Sequence, residues 1–252
     1  ITAADGSLGA LPYGTYKLIE LPCEANEGRQ TIEADLTVAR SDNTATLDYG
    51  TLDDLQPEIH TNAYDGTSGN PSDNEIVADD EACVIDRVTY QDLVPGRTYE
   101  LTAELHDAAT GDAIAIDGQT VSKTVQFTPT NKNGFVEVKL AFDGTKLADG
   151  QKAVVFEKLK WNGQPIASHE DRGDAEQTVT PRVPSIGTTL KSSDGSKTVK
   201  LDPEAKLVDT VGFKNLREGA EYELKMELVH KADGSPVLDK DGNDVTAVKK
   251  FK

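Results

Sequence analysis

The sequence predicts an all-β protein made of tandem β-sandwich domains, because it combines short alternating strands, frequent turn dipeptides and an internal repeat. Apolar and polar residues alternate with a period of two, as in half-buried strands, in residues 98–105, 121–127, 134–142 and 152–159. Turn dipeptides that close β-hairpins separate these runs at Asp117-Gly118, Asn133-Gly134 and Asn162-Gly163. No segment keeps a helical period over three turns, and regularly spaced short strands favour a sandwich.

An internal repeat sets the predicted domain boundaries. Ten positions between Asp86 and Leu105 recur 123 residues later, among them Asp86, Tyr99 and Glu104 as Asp209, Tyr222 and Glu227. Upstream, Pro57-Glu58-Ile59-His60-Thr61 is matched by Pro184-Ser185-Ile186-Gly187-Thr188. We therefore predict a complete domain at residues 57–182 and the N-terminal half of a second, incomplete copy at residues 183–252.

Residues 1–56 lie outside the repeat and have the same β texture. Strand-like runs occur at residues 31–38 and 44–49. A segment of this size is marginal for a core of its own. We predict that residues 1–56 are the C-terminal part of a preceding β domain that packs on the first copy.

The composition disfavours several classes of function. The chain has 26 Lys and Arg against 44 Asp and Glu, for a net charge of -18. Such a surface repels nucleic acid and anionic lipid, and no apolar run reaches membrane-spanning length. The four histidines have no zinc-ligand spacing and no C-x-x-C is present. We expect no metal, no cofactor, no nucleic acid and no membrane contact in this segment.

The two cysteines, Cys23 and Cys83, leave two alternatives open. They would fit a single disulfide in an oxidising compartment. Equally, they could be two small, partly buried thiols.

The chemistry-bearing residues concentrate between His169 and Gln177. This run holds a histidine, several carboxylates including Asp174, and the carboxamide of Gln177. A carboxamide becomes a reactant when a nucleophile attacks its carbonyl carbon and expels ammonia. Thr61, on the predicted first strand, could be that nucleophile if the first and last strands of the domain are neighbours. Separately, each residue could be an ordinary strand or turn residue.

An internal ester would need a base and an acid. A neutral imidazole such as His169 could take the threonine proton. A carboxylic acid kept protonated by a neighbouring carboxylate could polarise the amide carbonyl, and Asp174 is one candidate half of such a pair.

These residues match the sequence pattern of a known protein family. His169, Asp174 and Gln177-Thr178, together with Val154-Val155-Phe156-Glu157 and the upstream Thr61 after a proline, resemble the Thr–Gln ester-bond-forming domains (VaFE-type repeats) of Gram-positive wall-anchored surface adhesins. The resemblance implies an immunoglobulin-like sandwich in which Thr61 is the nucleophile, Gln177 the acyl donor and His169 the base. It also implies that Glu157 and Asp174 form the acid pair; position alone would not have selected Glu157.

Residues 1–56 are similar to the end of Cna-B-type, isopeptide-forming pilin domains, through Tyr16-x-Leu18-x-Glu20. In that family the glutamate catalyses a Lys–Asn crosslink. Lys17 is the only lysine before Lys123, and the matching lysine is expected upstream of Ile1. The resemblance therefore implies that this chain does not make that bond.

In the second copy, Thr188 is the better match to Thr61, with adjacent Thr189 as a competitor, and neither has its glutamine partner in the sequence. As a whole, the sequence predicts a structural stalk segment of an extracellular, cell-wall-anchored adhesin, with a single-turnover ester bond rather than enzyme activity. Neighbouring stalk domains are the expected partners, and a host ligand would be bound through other domains. One alternative is a glycan- or protein-binding adhesive sandwich without a crosslink. The other is a hydrolase using His169, which the absence of a Gly-x-Ser-x-Gly elbow disfavours.

Overall fold

The computed structural model describes residues 14–38, 55–199 and 205–252. The chain divides into two compact units, Ile1–Arg182 and Val183–Lys252. The described elements are strands, with two short 3-10 helices, as the sequence predicts. The predicted strand at residues 44–49 lies outside the described residues. No helix among the described residues is long and apolar enough to cross a membrane.

The first segment is a β-hairpin docked on the following sandwich. Strands β1 (Gly14–Ile19) and β2 (Glu33–Val38) pair in antiparallel fashion around a 3-10 helix at Glu24–Asn26. The Glu20 carboxylate closes this connection, because it accepts hydrogen bonds from Asn26 Nδ2 and from the Ile32 amide, both at 2.9 Å. The neighbouring Gln30 and Thr31 are buried against the sandwich.

Nine strands form the two sheets of the sandwich in the first unit, and two further short strands form a surface hairpin. They are β3 (Glu58–Asp65), β4 (Glu75–Val77), β5 (Ala82–Gln91), β6 (Tyr99–Asp107), β7 (Ala115–Ile116), β8 (Gln119–Thr120), β9 (Ser122–Phe127), β10 (Gly134–Phe142), β11 (Ala153–Trp161), β12 (Gln164–His169) and β13 (Thr178–Arg182), with the second 3-10 helix at Gly144–Lys146. One sheet has the order β10-β5-β3, and the other has β4-β13-β11-β6-β9 with β12 on β11.

The two sheets enclose one apolar core because their inward positions alternate with outward ones. Strand β5 buries Val84 and Val88, β6 buries Leu101 and Leu105, and β10 buries Val138 in the same cluster. Burial of such side chains is the main favourable term in folding.

Two features fix the geometry around the predicted site. The Asn162-Gly163 turn has positive φ at both residues, 48° and 79°, which is the type I′ geometry of a tight hairpin. It sets the β11–β12 register so that Glu157 lies opposite His169. On the other side, the Ala63 amide donates to the Glu176 carbonyl at 2.7 Å. The residues before the last strand therefore lie beside the first strand, as expected from the sequence.

The second unit repeats the first half of the sandwich. Its strands are β14 (Ser185–Ser192), β15 (Leu207–Lys214), β16 (Tyr222–Glu227) and β17 (Thr246–Phe251), paired as β14–β15 and β16–β17. A tyrosine corner recurs as well: the Tyr99 hydroxyl accepts from the Val94 amide at 3.0 Å, and the Tyr222 hydroxyl accepts from the Arg217 amide at 2.7 Å.

The disulfide alternative for the cysteines is wrong in this structure. Cys23 is exposed and Cys83 is buried, and they do not bond to each other. Cys83 lies within β5, where its sulfur packs directly on Gly66. It alternates with the inward-facing Val84 and Val88, so its side chain lies on the face of β5 away from the core cluster.

Candidate functional site

Four buried polar side chains meet in the core of the first unit. Thr61 lies on β3, Asp86 on β5, Glu157 on β11, and Gln177 directly before β13. Thr61 is 4% exposed and the other three are fully buried. Each occupies an inward strand position or its continuation, where the alternation would otherwise place an apolar residue. Such groups are tolerated in a core only when they bond to one another.

The backbone aims these side chains at each other. In the β3–β5 register Thr61 lies opposite Val88 and Ala63 lies opposite Asp86, so Thr61 and Asp86 are diagonal neighbours on one face. The Val155 amide donates to the Gln177 carbonyl at 3.0 Å. Together with the Ala63–Glu176 bond, this holds Gln177 between β11 and β3.

Two carboxyl groups join the threonine hydroxyl to the carboxamide. Thr61 Oγ1 donates to Asp86 Oδ1, and the Asp86 and Glu157 carboxyl groups lie close enough for their ionisation to be coupled. Gln177 Nε2 donates to Glu157 Oε2 at 2.8 Å and to the His169 carbonyl at 3.1 Å. The buried Gln177 Oε1 has no hydrogen-bond partner in the described part of the chain. The nucleophile and the carboxamide are thus connected through two carboxyl groups.

The two carboxyl groups hold one proton between them near neutral pH. Burial raises the pKa of Asp86 to about 6, and the hydrogen bonds from Thr61 and Glu157 act against that rise. Burial raises the pKa of Glu157 further, to about 11, assisted by the charge of Asp86. Because like charges this close cannot both ionise in a dry site, Asp86 carries the charge and Glu157 keeps the proton.

His169 and Asp174 lie at the rim of this cluster. His169 Nε2 is 3.3 Å from Asp174 Oδ2, and His169 Nδ1 is 3.9 Å from Glu157 Oε2. The Thr178 hydroxyl donates to the Asp174 carbonyl at 2.6 Å, which closes the turn between His169 and Gln177. The side chains of His169 and Asp174 are 20% and 26% exposed, so the imidazole lies between the buried carboxyl pair and the surface.

The structure changes two of the predicted pairings. Glu157 is coupled to Asp86 and not to Asp174, the partner that the family resemblance implies, because the turn carries Asp174 outward to His169. The Thr61 hydroxyl donates to Asp86 rather than to the His169 ring, which makes Asp86 its immediate proton acceptor. Sequence reasoning missed Asp86 as a site residue, although its recurrence as Asp209 was a usable signal.

In the second unit the register distinguishes the two candidate threonines. Thr188 lies opposite Val211 and Leu190 lies opposite Asp209, which reproduces the Thr61–Val88 and Ala63–Asp86 pairs. Thr188 therefore shares a face with Asp209, whereas neighbouring Thr189 faces the other side.

This fold and site define a class: a β-sandwich domain whose core holds a threonine hydroxyl, a shared-proton carboxyl pair and a carboxamide. The model of one family, described as the T-Q ester bond containing domain, matches residues 57–181 and 184–252. The chain belongs to this family.

The similarity of this chain to solved structures is weaker than its match to the family model. A bacterial adhesin from Mobiluncus mulieris, containing intramolecular disulfide, isopeptide and ester bond cross-links, is 15% identical in two crystal forms. The alignment covers 78% and 77% of this chain and 93% and 92% of the adhesin, with TM-scores of 0.43 and 0.40. A variant of the major pilin subunit of Bacillus cereus is 14% identical over 100% of this chain and 85% of its own, with a TM-score of 0.30. No curated protein matches significantly.

Proposed function

We propose that residues 57–182 form an internal ester between Thr61 and Gln177, and that this bond makes the chain a force-resistant structural segment of a bacterial surface adhesin. The observation that carries the proposal is the buried cluster of Thr61, Asp86, Glu157 and Gln177, in which Thr61 donates to Asp86 and Gln177 donates to Glu157. It supplies a proton acceptor at the nucleophile and a proton donor at the leaving nitrogen.

The chemical step is balanced within this chain of residues. The Thr61 hydroxyl gives its proton to Asp86, and its oxygen attacks the Gln177 side-chain carbonyl carbon. Glu157, which is protonated and 2.8 Å from Gln177 Nε2, gives a proton to that nitrogen as the C–N bond breaks. Ammonia leaves, an ester remains, and the proton on Asp86 restores Glu157.

His169 is assigned a supporting role in the same step. The route from the Thr61 hydroxyl to the imidazole runs through Asp86 and Glu157. Held by Asp174 at Nε2, the imidazole can exchange protons between this pair and solvent. The predicted role of His169 as the base therefore takes the form of a proton relay.

The reaction consumes its own substrate, so it turns over once and the domain is not an enzyme in the ordinary sense. The ester would join the first strand, β3, to the start of the last strand, β13. A pulling force applied at the two ends of the domain would then pass through covalent bonds and would not unzip the sheets. This is the property that a stalk needs.

The family membership supports an extracellular location on a Gram-positive bacterium, with the wall anchor and neighbouring stalk domains supplied by a longer parent protein. A host ligand would bind to other domains. These assignments rest on the resemblance to adhesin repeats and on the tandem arrangement of two copies.

The test is intact-protein mass measured under reducing conditions. The wild-type chain should weigh about 17 Da less than its sequence, the mass of one ammonia. Thr61→Ala should restore the full mass, Thr61→Ser should retain the loss, and Thr102→Ala, on the surface of β6, should leave it unchanged. A folded wild-type chain at full sequence mass would refute the proposal.

A further inference from the structure

The smaller sheet of the first unit has one covered edge and one open edge. At its β3 edge, the Ala63 amide donates to the Glu176 carbonyl at 2.7 Å. The Asp65 amide donates to the Asp73 carbonyl at the same distance. At the other edge, β10 pairs with β5, and its far side has no backbone hydrogen bond to any residue in the described ranges of the chain. Such a row of unpaired amides and carbonyls is a template for another strand.

Strand β10 is long and regular enough to pair along this edge. It runs for nine residues, Gly134–Phe142, without a proline. Val136 and Val138 contribute to the core, and the alternate positions Glu137 and Lys139 are exposed on the outer face. A strand added to β10 would therefore meet an apolar row on one face and a charged row on the other.

The sequence of β10 complements itself when two copies run antiparallel about Val138. In this register Glu137 lies opposite Lys139 of the second copy, and opposite charges in directly facing positions stabilise a strand pair. The apolar face also matches, since Val136 lies opposite Leu140 of the second copy. A two-fold axis repeats every one of these contacts, as in an isologous dimer.

Other registers of the same two strands are disfavoured. A shift of one residue turns the apolar positions of one copy against the charged positions of the other. A shift of two residues brings Glu137 opposite Glu137 of the second copy, or Lys139 opposite Lys139, and like charges directly opposite are destabilising. A lysine on an edge strand usually opposes pairing, but in the register about Val138 it faces a carboxylate. The charges of β10 therefore select a single register.

Both charged side chains are available for such pairs. Lys139 forms no ion pair with another residue in the part of the chain that the structure describes. Glu137 is 4.0 Å from the Arg87 guanidinium and accepts from the Tyr64 hydroxyl at 3.4 Å, and both distances are long for such contacts. The adjacent edge strand β9 contains one lysine and no acidic residue, so it does not complement itself in this way.

We propose that the first unit self-associates through β10, which pairs in antiparallel fashion with β10 of a second copy of this chain. The two three-stranded sheets then form one continuous sheet across a two-fold axis at Val138. The contact involves one strand from each copy, so it belongs to the small, transient class of interfaces. It uses none of the ester-site residues, and it would add lateral association of chains to the load-bearing role.

The experiment is analytical ultracentrifugation of the full 252-residue chain. Reducing conditions keep the exposed Cys23 from linking two copies. We expect an equilibrium between monomer and dimer with a dissociation constant of about 100 µM.

Charge reversals test the register directly. Lys139→Glu and Glu137→Lys should each weaken the dimer about tenfold, because like-charge pairs replace the opposite-charge pairs. An equal mixture of these two variants should form a heterodimer, since their β10 strands are complementary again. The chain that carries both substitutions should regain the wild-type affinity. Lys123→Glu, the matched charge change on β9, should leave the affinity unchanged.

Several outcomes would overturn the inference. They are a wild-type chain that stays monomeric up to about 1 mM, a dimer that Lys139→Glu weakens no more than Lys123→Glu does, and a double substitution that fails to restore the dimer. The fluorescence of Trp161 checks that each variant is folded. If Glu137→Lys does not fold, Glu137→Gln replaces it and should weaken the dimer less than Lys139→Glu. The loss of ammonia tests the proposed function separately, because dimerisation changes no covalent mass.

Discussion

Loss of the ester should lower the melting temperature of the first unit by about 19 °C. The bond would close a loop of about 116 residues between Thr61 and Gln177, and chain entropy for a loop of that size corresponds to about 5 kcal/mol. A domain of roughly 125 residues unfolds with an entropy of about 0.26 kcal/mol/K, from about 2.1 cal/mol/K per residue. Dividing the first quantity by the second gives the expected shift for Thr61→Ala.

The assay is thermal unfolding followed by the fluorescence of Trp161, the single tryptophan of the chain, which lies in β11 of the first unit. Thr61→Ala also removes the hydrogen bond to Asp86, so a double-mutant cycle with Gln177→Ala isolates the crosslink. Each single variant should lose the same 5 kcal/mol or so, and the double variant should lose little more. Additive losses, or a Thr61→Ala shift of only a few degrees, would refute the covalent explanation.

Three further predictions follow from the carboxyl pair and the cysteines. The crosslinking rate of freshly folded chain should rise as Asp86 ionises through a pKa of about 6 and fall as Glu157 ionises through a pKa of about 11. Mass spectrometry of samples quenched at successive times measures this rate. Asp86→Asn or Glu157→Gln should stop the reaction. In the unlinked Thr61→Ala chain, the raised pKa values of Asp86 and Glu157 stabilise the fold below pH 4, and this contribution is lost as pH rises through about 6 and beyond. Adding Glu157→Gln should flatten the decline of the free energy of unfolding above pH 6, measured by denaturant titration. A thiol reagent should label exposed Cys23 in the native protein, and buried Cys83 should react only on unfolding.

The sequence predicts the strands, and it predicts Thr61 and Gln177 at the two ends of the site, because local sequence patterns indicate both. Alternation identifies the strands, and the spacing of His169, Asp174 and Gln177 lies within one turn. The Asn162-Gly163 turn places Glu157 opposite His169, although only the family resemblance selects Glu157 as a site residue. These features depend on short-range backbone geometry, which a sequence expresses directly.

Which carboxyl group lies between Thr61 and Glu157 depends on the register between strands, and a sequence does not state that register directly. Asp86 is 25 residues from Thr61 and appears as one polar residue in an alternating strand. Only the pairing of β3 with β5 makes the two diagonal neighbours. Nearness in sequence favours Asp174, which is three residues from Gln177, yet the turn directs its carboxylate to His169.

Stability alone does not explain why the polar residues occupy these core positions. Replacing a buried carboxyl pair with apolar residues of similar size is often neutral or stabilising, so a sandwich selected only for stability would lack Asp86 and Glu157. The second unit makes the same point independently. It retains Thr188 and Asp209 in the equivalent register, and Asp209 Oδ1 gains no hydrogen bond there from any described residue. The recurrence of the threonine and aspartate in the same register in both copies therefore supports a chemical role for them.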